Sequence, residues 1–155
     1  MKYYHVYDSA AIGKIYIAES GGFITDAAFK PVEGAAENKT PLITRAIEQL
    51  EEYFAGSRKE FDLPVKLTGT EFQKKAWVSL LDIPYGETRT YKEQAEAVGN
   101  IKACRAVGAA NSKNPISIIF PCHRVIGANN KLTGYGGGIH IKKALLELER
   151  AQAHE

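Results

Sequence analysis

The sequence predicts an α+β fold in two parts: a small antiparallel sheet with one helix, followed by a mainly helical second part. Three observations carry this. Residues 2–29 alternate apolar and polar side chains in three short runs broken at turn residues. Two capping boxes, Thr70-x-x-Gln73 and Thr90-x-x-Glu93, open helices in the second half. A Gly-containing turn then separates two short helical segments, the pattern of a helix-turn-helix.

Taken in order, KYYHVYD, GKIYIAES and GGFITDAAF read as three strands broken at Ser9–Ala10 and Gly21–Gly22, with one covered face. A helix follows, capped by Thr40, with Pro41 at its first position and Gly56 past its end. Ile43, Ile47, Leu50 and Phe54 recur at helical spacing and should pack on the sheet. Nothing in residues 1–60 looks chemical, so a scaffold is the expectation there. A linker through Pro64 and Gly69 leads to the second part, giving domains at 1–68 and 69–155.

The Thr70 box opens a helix to about Leu81, with Phe72, Ala76, Trp77 and Leu80 on its apolar side. IPYGET is a turn, and the Thr90 box opens a helix to about Val98. Gly99–Asn100 breaks it, and IKACRAVGAANS forms the next helix. Ala103, Ala106, Gly108, Ala109 and Ala110 leave that helix nearly bald, with Lys102 and Arg105 projecting. It fits either a close-packed core or a narrow groove with one long cation to insert. Ile116 to Phe120 reads as a buried strand, ANNK as a turn and LTGYGGG as a glycine-rich loop. A last amphipathic helix turns Ile141, Leu145 and Leu148 inward.

Composition bounds the function. The 155 residues are 45% apolar and 25% charged, ordinary for a globular protein. No apolar run approaches a membrane span, and MKYYHVYDS lacks the apolar core of a signal peptide, so a cytoplasmic protein is expected, or a nuclear one in a eukaryote. Cys104 and Cys122 are the two cysteines, too few for a disulfide framework and outside any C-x-x-C pair. Two free thiols are expected, and no metal. Residues 1–68 carry 8 Lys/Arg against 10 Asp/Glu, whereas residues 69–155 carry 12 against 8. The positive second half hints at an anionic partner.

The stretch NPISIIFPCHRVIG sets a thiol beside an imidazole and a guanidinium. The thiolate is the nucleophile, and a histidine that reaches the sulfur takes its proton while a carboxylate orients the ring. From these residues alone, an inert buried Cys122 with a structural His123 stands beside the nucleophile reading.

GTEFQKKAW, IPYGETRTY, KACRAVGAANSKNP, PCHRVIG, LTGYGGG and LLELE occur in one order over residues 69–150, and together they resemble the O6-alkylguanine-DNA alkyltransferases. Residues 1–68 match that family's N-terminal part only in size and element order. The resemblance implies a small ribonuclease-H-like antiparallel sheet with a helix, then a winged helix-turn-helix-type domain. It implies transfer of an alkyl group from O6 of guanine, or from O4 of thymine, to Cys122 itself, once per molecule and without a cofactor. His123, oriented by Glu149, would deprotonate Cys122 through a bridging water. Asn114 would hold the turn, and Tyr91 would donate a proton or hydrogen bond to the departing guanine. Arg105 would fill the stack of a flipped nucleotide, with Lys102, Ala103, Ala106, Tyr91 and Arg124 also at the DNA. Tyr135, Gly136, Gly137, Ser117 and Val125 would form the substrate pocket. The partner is double-stranded DNA carrying O6-alkylguanine, and the protein acts as a monomer.

Ser117 stands where the family generally has proline, and Cys104 lies within the recognition helix, where it reads as packing. Two rivals use other chemistry. A lesion-binding relative would lack the cysteine, and a cysteine hydrolase would need an oxyanion hole that no motif here supplies.

Overall fold

The computed structural model describes residues 1–153. It divides into two compact units, Met1–Thr68 with Pro115–Ile119, and Gly69–Asn114 with Phe120 onward. In the first, β1 (Lys2–Ser9), β2 (Gly13–Ser20) and β3 (Phe23–Ala28) form an antiparallel meander. Gly21 and Gly22 at φ 60° and 84° make the second turn, in a left-handed conformation that glycine adopts at little cost. A fourth strand, β4 (Ala36–Glu37), lies parallel to β1 and completes the order β3-β2-β1-β4. Two residues are too few to show a period-two pattern, so β4 left no trace in the sequence.

α1 (Pro41–Phe54) starts as expected: the Thr40 hydroxyl accepts from the Ile43 N–H, and Pro41 is its first residue. It buries Ile43, Ala46, Ile47, Leu50 and Tyr53, while the sheet buries Ile15, Ile17, Ile24 and Ala27. Phe54, expected inward, is only half-buried. Tyr53, three residues after Leu50, takes the core position, with its ring centroid 5.6 Å from that of Phe61. The expected linker at Pro64 is an ordered sheet edge. Val65 bridges Ile24, with the Ile24 N–H donating to the Pro64 carbonyl and the Lys66 N–H to that of Ile24.

Ile116 to Phe120 is buried but is not a strand. Ile116 bridges Ala27, flanked by hydrogen bonds from the Ala27 N–H to the Pro115 carbonyl and from the Ser117 N–H to that of Ala27. Ile118 then sits at φ 72°, unusual for a β-branched residue. Apolarity reports burial, and here burial comes without a ladder.

In the second unit, α2 (Glu71–Ser79) and α3 (Tyr91–Ala97) both begin with complete capping boxes. The predicted Leu81 end of α2 falls in a 3-10 turn at Leu80–Asp82. α3 ends in a Schellman motif: Gly99 is left-handed, and the Asn100 and Gly99 N–H groups donate to the carbonyls of Ala95 and Glu96. α4 (Cys104–Ser112) begins three residues later than IKACRAVGAANS predicted, because Ile101 and Lys102 belong to the turn. The Trp77 indole N–H donates to the Ala110 carbonyl at 2.8 Å, and Gln94 and Asn111 exchange amide hydrogen bonds at 3.0 and 2.7 Å, tying α2 and α3 to α4. β5 (Arg89–Thr90) pairs in parallel with β6 (Val125–Ile126). This brings the start of α3 alongside the 3-10 turn Cys122–Arg124, which runs directly into β6. α5 (Ile139–Ala153) closes the unit. It buries Ile141 and Leu145 as expected, while Leu148 is half-buried and Leu146 takes its place. Among the described residues, no helix is long and apolar enough to cross a membrane.

Candidate active site

Proline at 121 cannot extend a ladder, and the chain turns there into the 3-10 turn that holds Cys122, His123 and Arg124. All three are buried. Asn114 spans the excursion between its own position and the turn. Its amide Nδ2 donates to the Phe120 carbonyl at 2.8 Å and to Cys122 Sγ at 3.3 Å. The thiol is 5% exposed. Burial pushes it up to about 11, against the opposing pull of the Asn114 hydrogen bond and the Lys142 charge. At rest the sulfur keeps its proton, so a base must remove it as the reaction proceeds.

His123 is the neighbouring titratable group in the same turn. His123 Nε2 lies 2.6 Å from Glu149 Oε2. Burial lowers the pKa of the ring, despite the neighbouring carboxylate, so the imidazole is neutral at pH 7. For Glu149, burial acts to raise the pKa, but the hydrogen bonds and charges of His123 and Arg124 outweigh it and hold the carboxyl well below the usual range. An ionised Glu149 accepts the Nε2 proton, which leaves Nδ1 as the ring's basic nitrogen. Nδ1 is buried and has no hydrogen-bond partner among the described residues, so no direct bond joins it to Cys122.

Arg124, expected at the DNA, lies elsewhere. Its guanidinium grips Glu149 through Nε at 2.8 Å and Nη2 at 3.1 Å, and Nη1 donates to the Ile83 carbonyl at 2.7 Å. At 7% exposure it has no face left for a phosphate. A planar fork suits a buried carboxylate better than a point charge does. Ala103, also expected at the DNA, belongs to the apolar core with Ala76, Ala95, Val98, Val107 and Ala110. Val125, expected to line the pocket, is fully buried in β6 and backs the site instead.

The other expected residues fall on accessible ground. Lys102, Arg105 and Ala106 are exposed along one side of α4 and the turn before it. Cys104 is half-buried against the core, the packing role expected of it. Tyr91 is half-exposed at the start of α3; its hydroxyl donates to the Thr133 carbonyl at 3.4 Å and accepts from the Thr133 hydroxyl at 3.2 Å. Tyr135, Gly136 and Gly137 occupy the loop between Thr133 and α5. Ser117 is buried in the first unit. Sequence reasoning missed Lys142, whose ammonium is buried and donates to the Thr133 carbonyl at 2.8 Å. The signal was there: Lys142, Leu146 and Glu149 follow four- and three-residue spacing on α5. Among the described residues, no group of three or more His, Cys, Asp or Glu side chains gathers to hold a metal ion.

The raised Cys122 thiol makes stability depend on pH. The unfolded thiol ionises near 9 and the folded one near 11. Stability from this group is therefore complete below pH 9 and is lost as pH rises towards 11. The alkaline fall in unfolding free energy should be smaller in Cys122→Ala than in the parent, by up to about 2–3 kcal/mol. Urea titrations of both proteins from neutral to alkaline pH measure the difference.

A buried thiol, a neutral histidine paired with an ionised carboxylate, and a helix-turn-helix with an exposed cation fit the class of DNA-binding proteins that accept a group on their own cysteine. The description 6-O-methylguanine DNA methyltransferase, DNA binding domain, matches residues 71–151, and that family's ribonuclease-like domain matches residues 2–67. The chain is 49% identical over 158 residues to the methylated-DNA–protein-cysteine methyltransferase of Mycobacterium tuberculosis, covering 99% of this chain and 95% of that one. It is 64% identical over 104 residues to the protein of that name from Methanosarcina acetivorans, 67% of each chain. The crystal structure of Mycobacterium tuberculosis OGT in complex with DNA superposes with a TM-score of 0.90 at 48% identity, over 97% of this chain and 94% of that one. The chain belongs to the 6-O-methylguanine DNA methyltransferase family.

Proposed function

We propose that this protein repairs DNA by direct reversal, taking the alkyl group from O6 of an alkylated guanine onto Cys122. The observation that supports the residue assignment is the Asn114–Cys122 contact beside a His123–Glu149 pair whose other ring nitrogen has no partner among the described residues. The Sγ–carbon bond forms as the carbon–O6 bond breaks, and the electron pair leaves on guanine. The thiol proton goes through a bridging water to His123 Nδ1, and Tyr91 supplies a proton or hydrogen bond to the departing base. The product is a thioether with no easy hydrolysis, so each molecule acts once.

A base within a duplex hides its O6 substituent, so the nucleotide must leave the stack at a cost of a few kcal/mol. Arg105 fills the gap in this reading, which its exposure on a helix of small residues supports. Lys102 contributes positive charge towards the phosphates, and Tyr135 with Gly136 and Gly137 lines the space for the base. The protein works as a monomer in the compartment that holds the DNA, the cytoplasm in a cell without a nucleus.

Intact mass after exposure to excess duplex carrying O6-methylguanine tests this. One methyl mass is expected, located on Cys122, with none added to Cys122→Ala. Repeated turnover, or label on Cys104, contradicts the reading.

A further inference from the structure

β3 is an outer strand of the first unit's sheet, and two separate segments pair with its free side. Val65 bridges Ile24, and Ile116 bridges Ala27. The backbone bonds divide in the same way: Ile24 bonds to Pro64 and Lys66, and Ala27 to Pro115 and Ser117. Thr25 and Asp26 lie between the two bridges and make no backbone bond to either segment among the described residues. On the β2 side the register slips, with Ala18 opposite Asp26 and Glu19 opposite Ile24. Thr25 is thus the extra residue of a bulge, a device that re-aims side chains. The sheet edge is split at Thr25–Asp26.

A cleft of about 520 Å³ lies at this split, a size typical of small-molecule sites. Its charged groups come from three segments: Lys2 on β1, Asp26 on β3, and Lys66 beside Ile24. Asp26 is already engaged, because its Oδ1 accepts from Lys2 Nζ at 2.7 Å and from the Thr25 hydroxyl at 2.8 Å. Lys66 is exposed and has no ion pair among the described residues. Two lysines against one aspartate leave the cleft positive. Ser20, Thr25 and Thr68 add hydroxyls to the lining, and so does Phe23 an aromatic ring, 43% exposed. A single exposed phenylalanine is ordinary on a surface. Beside cations in a cleft it matches the stacking platforms that hold unpaired bases.

We infer that this cleft binds a nucleoside phosphate, free or as part of a single strand. Lys66 and Lys2 meet the phosphate as point charges, the hydroxyls donate to its oxygens, and the base stacks on Phe23. The site is separate from the transfer chemistry, since none of its residues belongs to the thiol turn or to α4.

Deoxyadenosine monophosphate, titrated into the isotope-labelled full chain and followed by NMR, tests this. The amides of Gly21 to Asp26 and of Lys66 to Thr68 should shift along a saturable curve, with a Kd of about 0.1–1 mM. Lys66→Glu should weaken binding about tenfold or more, and added salt should weaken it in the parent. Phe23→Ser should weaken the nucleotide about tenfold while inorganic phosphate binds as before. Both substitutions fall at exposed positions, and dispersed amide spectra confirm that the variants are folded. A tetranucleotide of deoxyadenosine, read at the same amides, separates the two sources. Binding about tenfold tighter than the mononucleotide assigns a single strand, and equal binding assigns the free nucleotide. No saturable shift at these amides up to about 10 mM, or either variant binding the nucleotide as the parent does, overturns the inference. So does a tetraglutamate peptide that binds as tightly as the nucleotide, which would make the ligand an acidic segment.

Discussion

Glu149→Ala is expected to cost the fold about 3–5 kcal/mol, the range for removing one partner from a buried ion pair. Glu149 is 1% exposed and receives two hydrogen bonds from Arg124 and one from His123. Its loss leaves the guanidinium buried, with the hydrogen bond to the Ile83 carbonyl still in place. The transfer rate should fall as well, because the His123 ring loses the group that orients it. Replacing both charges, as Glu149→Leu with Arg124→Met, should cost the fold less than Glu149→Ala alone, since no orphaned charge remains. Urea unfolding of the single and double variants decides this. A loss below about 1 kcal/mol for Glu149→Ala would mean that water reaches Arg124 and that the triad is not sealed.

Arg105→Ala should slow repair of duplex DNA by roughly ten- to a thousandfold, while reaction with a free O6-alkylguanine base stays nearly unchanged. The residue is exposed on α4 and takes part in none of the contacts that build the thiol site. Its effect should therefore be confined to extrusion, which a free base does not need. Arg105→Lys should recover little, because a flexible ammonium presents no planar group to the neighbouring base. Single-turnover transfer on both substrates is the measurement. Equal slowing on free base and duplex would move Arg105 into folding or chemistry.

Arg124 and Arg105 show how one expectation meets two different surroundings. Both are arginines in a basic second half, and both were expected at the DNA. One is exposed on a helix of small residues. The other turns inward because Glu149, 25 residues later, is brought within 2.8 Å of it by α5. Nothing near Arg124 in the chain announces that carboxylate.

What the sequence determined by itself is local. The two capping boxes, the Thr40–Pro41 start, the Gly99 stop and the three leading strands rest on contacts within a few residues, and each formed as read. Cys122 was singled out differently, through the resemblance of the motif around it. The tertiary structure decided which apolar run becomes a ladder, which alanines of α4 are core, and which charges are buried together. Ile116 to Phe120 has strand composition, yet with Ile118 at φ 72° it forms only isolated bridges and no continuous ladder. Lys142 resembles any helix-surface lysine until α5 packs its second stripe inward. Burial and charge pairing depend on residues far apart in the chain, so the pKa of Cys122 is a property of the assembled interior and not of its motif.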